Sequence, residues 1–299
     1  MPLRYSKFDT SRMKKNIINS LLIVICLLAH PAFAQRAEIG VFGGGSYYLG
    51  DINPKKNFEL TQPAAGLLVR YNLSPRFAVK VNGIWGNVKG DDAVTKFNEK
   101  RNLSFKSQII EFSAQLELNF LPYVTGHKDY YFSPYMFAGI AAFNFEPMAQ
   151  YDGKWYSLQP LGTEGQGTMS YYDRKPYSLN ALSFPFGLGF KYALANKICV
   201  GGEWGMRKTN TDYLDDISTT YADPSILTAE NTPVSMILAD RSVKLPGEPS
   251  NTGLQRGNST NNDWYSFAGL FITFKITKKR KGDCPTYQQY KKYKDYYKD

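Results

Sequence analysis

Few residues of this chain could carry acid–base or nucleophilic chemistry. It has two histidines: His30 lies in an apolar N-terminal segment and His127 in a short stretch between two alternating segments. A Ser/His/Asp arrangement needs an imidazole to take the nucleophile's proton, and none lies near the paired carboxylates Asp215-Asp216. That pair reads as a capping or turn feature of a long loop. Alone it supplies neither a general acid/base site nor the oxygen set that Ca²⁺ requires. Gly43-Gly44-Gly45 opens no helix, so it is no phosphate cradle; within a strand it relieves strong bending. No metal and no cofactor are expected. Six further charged residues share a different logic: Arg70, Lys80, Glu111, Glu117, Glu203 and Arg207 sit at polar positions of alternating stretches. Mixed in sign, they could line an ion path or form a salt-bridged plug. The need of a buried charge for a partner favours the plug.

The elements that position these charges are strands. Aromatics make up 15% of the chain, and no segment after residue 34 is apolar for the roughly 18 residues a spanning helix needs. Eight stretches instead alternate with period two, the signature of a transmembrane β-barrel. They run over 37–50, 64–71, 77–85, 108–120, 131–143, 182–192, 197–207 and 264–276. The clearest is Gln108–Phe120, where Ile110, Phe112, Ala114, Leu116, Leu118 and Phe120 oppose Glu111, Ser113, Gln115, Glu117 and Asn119. In the fifth stretch Tyr135, Phe137 and Gly139 share one parity. A soluble sandwich or lipocalin-like barrel would also alternate, but here the polar parity is rich in Gly, Ser and Asn, which suits a narrow packed lumen. The connections also alternate, short at 72–76, 121–130 and 193–196, long at 51–63, 87–103, 146–180 and 208–262.

The expected fold is therefore all-β: an eight-stranded antiparallel transmembrane β-barrel with short periplasmic turns, long extracellular loops and a C-terminal periplasmic tail. Trp85, Trp204, Trp264 and Tyr265 are predicted at strand ends beside long loops, and Phe77, Phe120, Tyr131, Tyr192 and Phe274 beside short turns. Two aromatic girdles against outer-membrane lipids result. Eight strands leave room inside for side chains only, which excludes a general porin.

Three segments follow. Residues 1–34 read as a secretory signal peptide starting at Met13, with Ile17–Ala29 apolar and Ala32-Phe33-Ala34 before a cut at Gln35. Residues 35–276 hold the barrel. Residues 277–299 form a basic, Tyr-rich tail with eight Lys/Arg against three Asp. The formal net charge of +10 thus belongs mostly to the chain ends, which gives nucleic-acid binding no support. Lys278, Lys279 and Arg280 open the tail, and Tyr287 and Tyr290 recur at a spacing of three that suits one face of a helix formed on docking. Equally, a solvated tail near lipid headgroups accounts for them. Two cysteines follow the signal, Cys199 and Cys284. Cys284 can remain free, pair with Cys199, or bond a partner chain; Cys199, on the lumen parity, can be a small filler.

One segment carries a family resemblance. The stretch EWGMRKTNTDYLDDIS, from Glu203 through Arg207 to Thr211, Asp212, Tyr213, Leu214, Asp215 and Asp216, resembles the PorG-like outer-membrane barrels of the type IX secretion system. EIGVFGGGSYYLGDIN near the start of the barrel resembles that family's first strand and its exit. The resemblance implies a non-enzymatic component of a machine that exports proteins across the outer membrane. It also implies contact with a periplasmic ring lipoprotein and its partner, for which the tail and a disulfide at Cys284 are the candidate means. The alternative is an OmpA-like surface barrel with ligand- or cell-binding loops. If Cys284 bonds a partner, non-reducing gels will show a band that disappears in Cys284→Ser; an identical pattern in both overturns the bond.

Overall fold

The computed structural model describes residues 36–276, apart from 243 and 245–247. The segment read as a signal peptide and the tail, with Lys278, Lys279, Arg280, Cys284, Tyr287 and Tyr290, lie outside the described residues. The barrel unit runs from Glu38 to Lys275.

Nine strands form in chain order: β1 (Ala37–Leu49), β2 (Gln62–Asn72), β3 (Phe77–Asp91), β4 (Ser104–Asn119), β5 (Phe132–Tyr151), β6 (Lys154–Ser157), β7 (Asn180–Ala195), β8 (Ile198–Thr209) and β9 (Trp264–Lys275). Eight of them close a ring in the order β1-β2-β3-β4-β5-β7-β8-β9, with β9 antiparallel to β1 from Glu38↔Lys275 to Leu49↔Trp264. Closure matters because an open edge would leave unpaired N–H and C=O groups in hydrocarbon, at several kcal/mol each. The ninth strand, β6, is an addition that alternation did not reveal. It pairs only with the far end of β5, Met148↔Ser157 to Tyr151↔Lys154, as a four-residue hairpin arm too short to show a period.

Side chains alternate across the wall as the pleat requires. Leu182, Phe184, Phe186, Leu188, Phe190 and Tyr192 of β7 are all exposed on the outer face, as are Ile110, Phe112 and Leu116 of β4. Such a continuous apolar outer belt is what a hydrocarbon solvent demands and water would penalise. The opposite parity points inward and is buried. The parity of Tyr135 and Phe137 turns out to face the lumen, while Met136 and Ile140 face outward. Tyr265 is likewise a correction: it is fully buried inside rather than part of the outer girdle.

The strands also run further than their alternation suggests. β3 continues past Trp85 to Asp91, β4 begins at Ser104, and β5 reaches Tyr151. Trp85 and Trp204 therefore lie within strands, both still outward-facing at 43% and 41% exposure. Beyond Trp85 the strands rise into a rim where the outer face turns polar (Asn87, Lys89, Asn144, Glu146) and the inner face apolar (Val88, Phe143, Phe145), so the lipid-facing pattern is reversed. At the opposite end the 120–131 turn folds back into the barrel mouth: Tyr123 is buried, its N–H donates to the Pro75 carbonyl, and Thr125 Oγ1 donates to Glu38.

On β1, Gly44 stands opposite Gly269 of β9. A Cβ on Gly44 would lie 2.1 Å from the Ala268 carbonyl oxygen and 2.5 Å from Gly269 Cα, whereas one on Gly43 meets nothing within 4 Å. Urea titration of the barrel in detergent should show Gly44→Ala destabilised by about 1–3 kcal/mol. Gly43→Ala should change stability by less than about 0.5 kcal/mol.

Candidate functional site

The predicted lumen charges converge into two linked clusters. Glu117 is the hub of the larger one. It accepts from Arg70 Nε at 2.8 Å and Lys191 Nζ at 2.6 Å, with Lys80 Nζ at 3.6 Å. Arg70 also reaches Glu38 at 3.1 Å, and Lys80 donates to Glu203. In the second cluster Arg207 Nε donates to Glu111 at 3.1 Å, and Tyr265 Oη donates to the same carboxylate oxygen at 2.8 Å.

Four cations thus face four carboxylates, and the lumen is electrically balanced, which is the condition for burying such groups at all. Each cation also lies over an aromatic face: Lys80 over Phe137 at 4.7 Å, Arg207 over Phe267 at 4.7 Å, Arg70 over Phe271 at 4.9 Å and Lys191 over Tyr135 at 4.5 Å. The inward aromatics therefore supply negative ring faces where water is excluded. Of the two readings of the lumen, ion path and plug, this geometry is the plug. Glu38 and Lys191 belong to it and were missed. Both sit on the polar parity of their strands, Glu38 beside Ile39 and Lys191 between Phe190 and Tyr192, so the signal was present. Cys199 lies fully buried in the same wall, as a small filler would.

The motif segment runs from this lumen into the long-loop rim. Glu203 pairs with Lys80 and accepts from Tyr135 Oη at 2.8 Å, while Arg207 pairs with Glu111. After β8 ends, the carbonyl of Thr211 accepts from the Asp263 N–H, tying the loop's entry to its exit. Tyr213 stacks on Tyr177 with ring centres 4.4 Å apart. Leu214 is fully buried and its N–H donates to Asp263 Oδ2 at 3.0 Å. Asp215 accepts from the Ile217 N–H at 2.9 Å, the local capping its sequence suggested.

Asp216 adopts a left-handed backbone (φ 65°), which Asp tolerates better than most residues. This conformation turns its carboxylate toward Tyr177 Oη at 2.7 Å and Thr163, with Arg256 at 3.8 Å. Burial raises its pKa to about 6 against the pull of Arg256. Arg256 in turn binds Glu164 at 3.0 Å, and Glu164 accepts the N–H groups of Ser218 and Thr219. Arg101 clamps Asp92 through two 2.8 Å bonds and the Asp51 carbonyl at 2.9 Å.

Within 226–257, for which the sequence suggested no role, Arg256 and the residues around Ser235 thereby become part of a cap. A short helix, α1 (Pro233–Ala239), packs on the 159–166 loop through Ser235 Oγ to the Leu161 carbonyl at 2.6 Å. The arrangement joins loops and holds charge. His127, the one histidine among the described residues, sits on the 120–131 turn at the other end.

Removing the hub should expose the cost of this balance. Glu117→Gln leaves Arg70, Lys80 and Lys191 short of a partner, and its unfolding free energy in detergent should fall by about 3–5 kcal/mol. Glu111→Gln, which orphans Arg207, should unfold the barrel more easily by a similar amount, and an unchanged urea midpoint in either would show the lumen pairs to be without weight.

Residues 15–232 match the family described as Domain of unknown function (DUF6089). No curated protein matches the chain in sequence. Among solved structures it is similar to the N-terminal β-barrel domain of Pseudomonas aeruginosa OprF, at 12% identity over 79% of this chain and 96% of that one, with TM-score 0.31. It is similar to Neisserial surface protein A, NspA, at 7% identity over 80% and 96% of the two chains, TM-score 0.41. A third likeness is to Ail, the attachment invasion locus protein of Yersinia pestis, at 10% identity over 80% and 97%, TM-score 0.37. With most of its length matched by that family's pattern, the chain belongs to the DUF6089 family.

Proposed function

We propose that this protein is a non-enzymatic outer-membrane component of the type IX protein secretion machinery, which anchors or organises periplasmic ring proteins at the outer membrane. The observation that carries the reading is the filled lumen. With Glu117 and its three cations packed across the barrel, and Tyr123 folded into the short-turn mouth, the interior offers no solute path of porin width. Work must then be done by surfaces: the rim, the turns or the tail. The resemblance of the Glu203–Ser218 segment to PorG-like barrels favours the secretion machine among functions that use such surfaces. In this reading the tail, with Lys278, Lys279, Arg280, Cys284, Tyr287 and Tyr290, faces the ring lipoprotein and its partner.

A second reading, an OmpA-like surface barrel whose loops bind ligands or cells, is favoured by the rim itself. Met169 and Tyr172 are 89% and 86% exposed at the tip of the β6–β7 connection, an arrangement that costs solvation and suits contact. Deleting residues 278–299 separates the two. On the anchoring reading, mild-detergent pull-downs lose periplasmic proteins and secretion falls. Retention of both with the truncated chain overturns anchoring and leaves the surface-binding reading.

A further inference from the structure

At the long-loop rim, one tyrosine hydroxyl stands between two buried carboxyl groups. Tyr48 Oη contacts Asp215 Oδ2 on one side and lies 3.0 Å from Asp263 Oδ1 on the other. The second oxygen of each carboxyl group is already an acceptor, Asp215 Oδ1 from the Ile217 N–H and Asp263 Oδ2 from the Leu214 N–H. A phenol has one proton and can donate it to one carboxylate only. Were both carboxyl groups ionised, the other oxygen pair would face each other with no hydrogen between them, buried and repelling. The contact becomes a hydrogen bond if that carboxyl group carries a proton and donates it to Oη. There is no slack for an intervening water: a Cβ on Gly50 would lie 2.0 Å from Asp263 Oδ1 and 2.2 Å from Tyr48 Oη.

The surroundings do not provide the charge to do otherwise. From the end of β1 and the residues after it come Tyr48 and Asp51; from the β5–β7 connection, Glu164; from the β8–β9 loop, Asp212, Asp215, Asp216 and Asp263. The cations nearby are Arg101 and Arg256, committed to Asp92 and to Glu164 with Asp216. Neither makes an ion pair with Asp215 or Asp263 among the described residues. Asp212 adds an independent sign of the same excess. It is 8% exposed, and neither of its carboxyl oxygens has a hydrogen-bond partner. An ionised carboxylate so placed is costly, and burial raises its pKa to about 8. Burial, reinforced by the neighbouring carboxylates, likewise pushes Asp215 and Asp263 well above the usual range.

We propose that the Asp215–Tyr48–Asp263 trio holds one carboxylic proton at neutral pH and so latches the Thr211–Thr219 segment onto the barrel rim as a pH-sensitive device. Because the closed rim binds this proton more tightly than an opened one, closure is strongest in acid. It weakens as pH rises through the trio's own titration. Loss of the proton to solvent leaves two carboxylates facing one phenol, and the segment lifts.

Two amides report on the latch directly, those of Leu214 and Ile217. In the full chain folded in detergent, their hydrogen-exchange protection, corrected for intrinsic rates and referred to β9 amides, should fall about tenfold or more between about pH 6 and about pH 10, tenfold being one unit of pKa difference. In Asp263→Asn the amide NH₂ takes the place of the acid proton, and the fall should be at least about tenfold smaller than in the wild type, Asp212 with its own raised pKa contributing equally to both; an equal fall in both overturns the proposal. Asp215→Asn serves as the second variant if the first fails to fold, and heat-modifiable gel migration checks barrel closure in each. Infrared spectra at neutral pH should show a protonated-carboxyl C=O band that weakens in either variant. Protection in the wild type that does not change with pH overturns the proposal. So does its loss on adding EDTA at neutral pH, which would make a metal ion, not a proton, the compensating charge.

Discussion

The structure depends on one buried carboxylate. Glu117 sits at the centre of a barrel too narrow for bulk water and compensates Arg70, Lys80 and Lys191 together. An ion taken out of water loses several kcal/mol of solvation, and only close partners return it. Three cations around one carboxylate would leave an excess, so Glu38 and Glu203 take the outer contacts of Arg70 and Lys80. Arg207 and Glu111 then form their own pair. The wall is sealed to oil on the outside and to charge on the inside, and the two requirements are met by one alternation.

The motif segment extends this logic from lumen to rim. Its first two charged residues, Glu203 and Arg207, belong to the plug; its last two acids, Asp215 and Asp216, hold loops together above it. Between them the chain leaves β8 and turns over the mouth, with Leu214 buried beneath. The segment is thus a continuous structural tie. Through these ties the described parts of the 210–263 loop are held over the rim. Arg256 near its end and Glu164 from another loop close the same network. The rim differs from the lumen in one respect: its acids outnumber its cations, and protons fill the difference where arginines do not.

Much of this was legible beforehand. The eight wall strands, their facing and the plug charges follow from period two, because each residue of a barrel wall meets either lipid or lumen and its type must suit one of them. Legibility failed where that contrast is absent. β3, β4 and β5 continue into a rim where the outer face is polar and the inner face apolar, the reverse of the pattern in the lipid belt, so their true ends were not visible. β6 is too short to show a period. Tyr135, Phe137 and Tyr265 are apolar enough to read as outer residues, yet they point inward: Tyr135 and Phe137 lie over Lys191 and Lys80, and Tyr265 donates to Glu111. Glu38 and Lys191 were visible by parity, but only pairing distances assign Glu38 to Arg70 and Lys191 to Glu117.

By itself, then, the sequence determined that this chain is a strand-built wall with oil-facing and charge-facing parities, long loops at one end and short turns at the other. That follows from composition at alternate positions, a local property. The tertiary structure alone decided which charges meet, that the 120–131 turn enters the mouth, and that Tyr48 stands between Asp215 and Asp263. Those pairings join residues from 32 to 215 positions apart, and no spacing along the chain encodes a distance across a closed barrel.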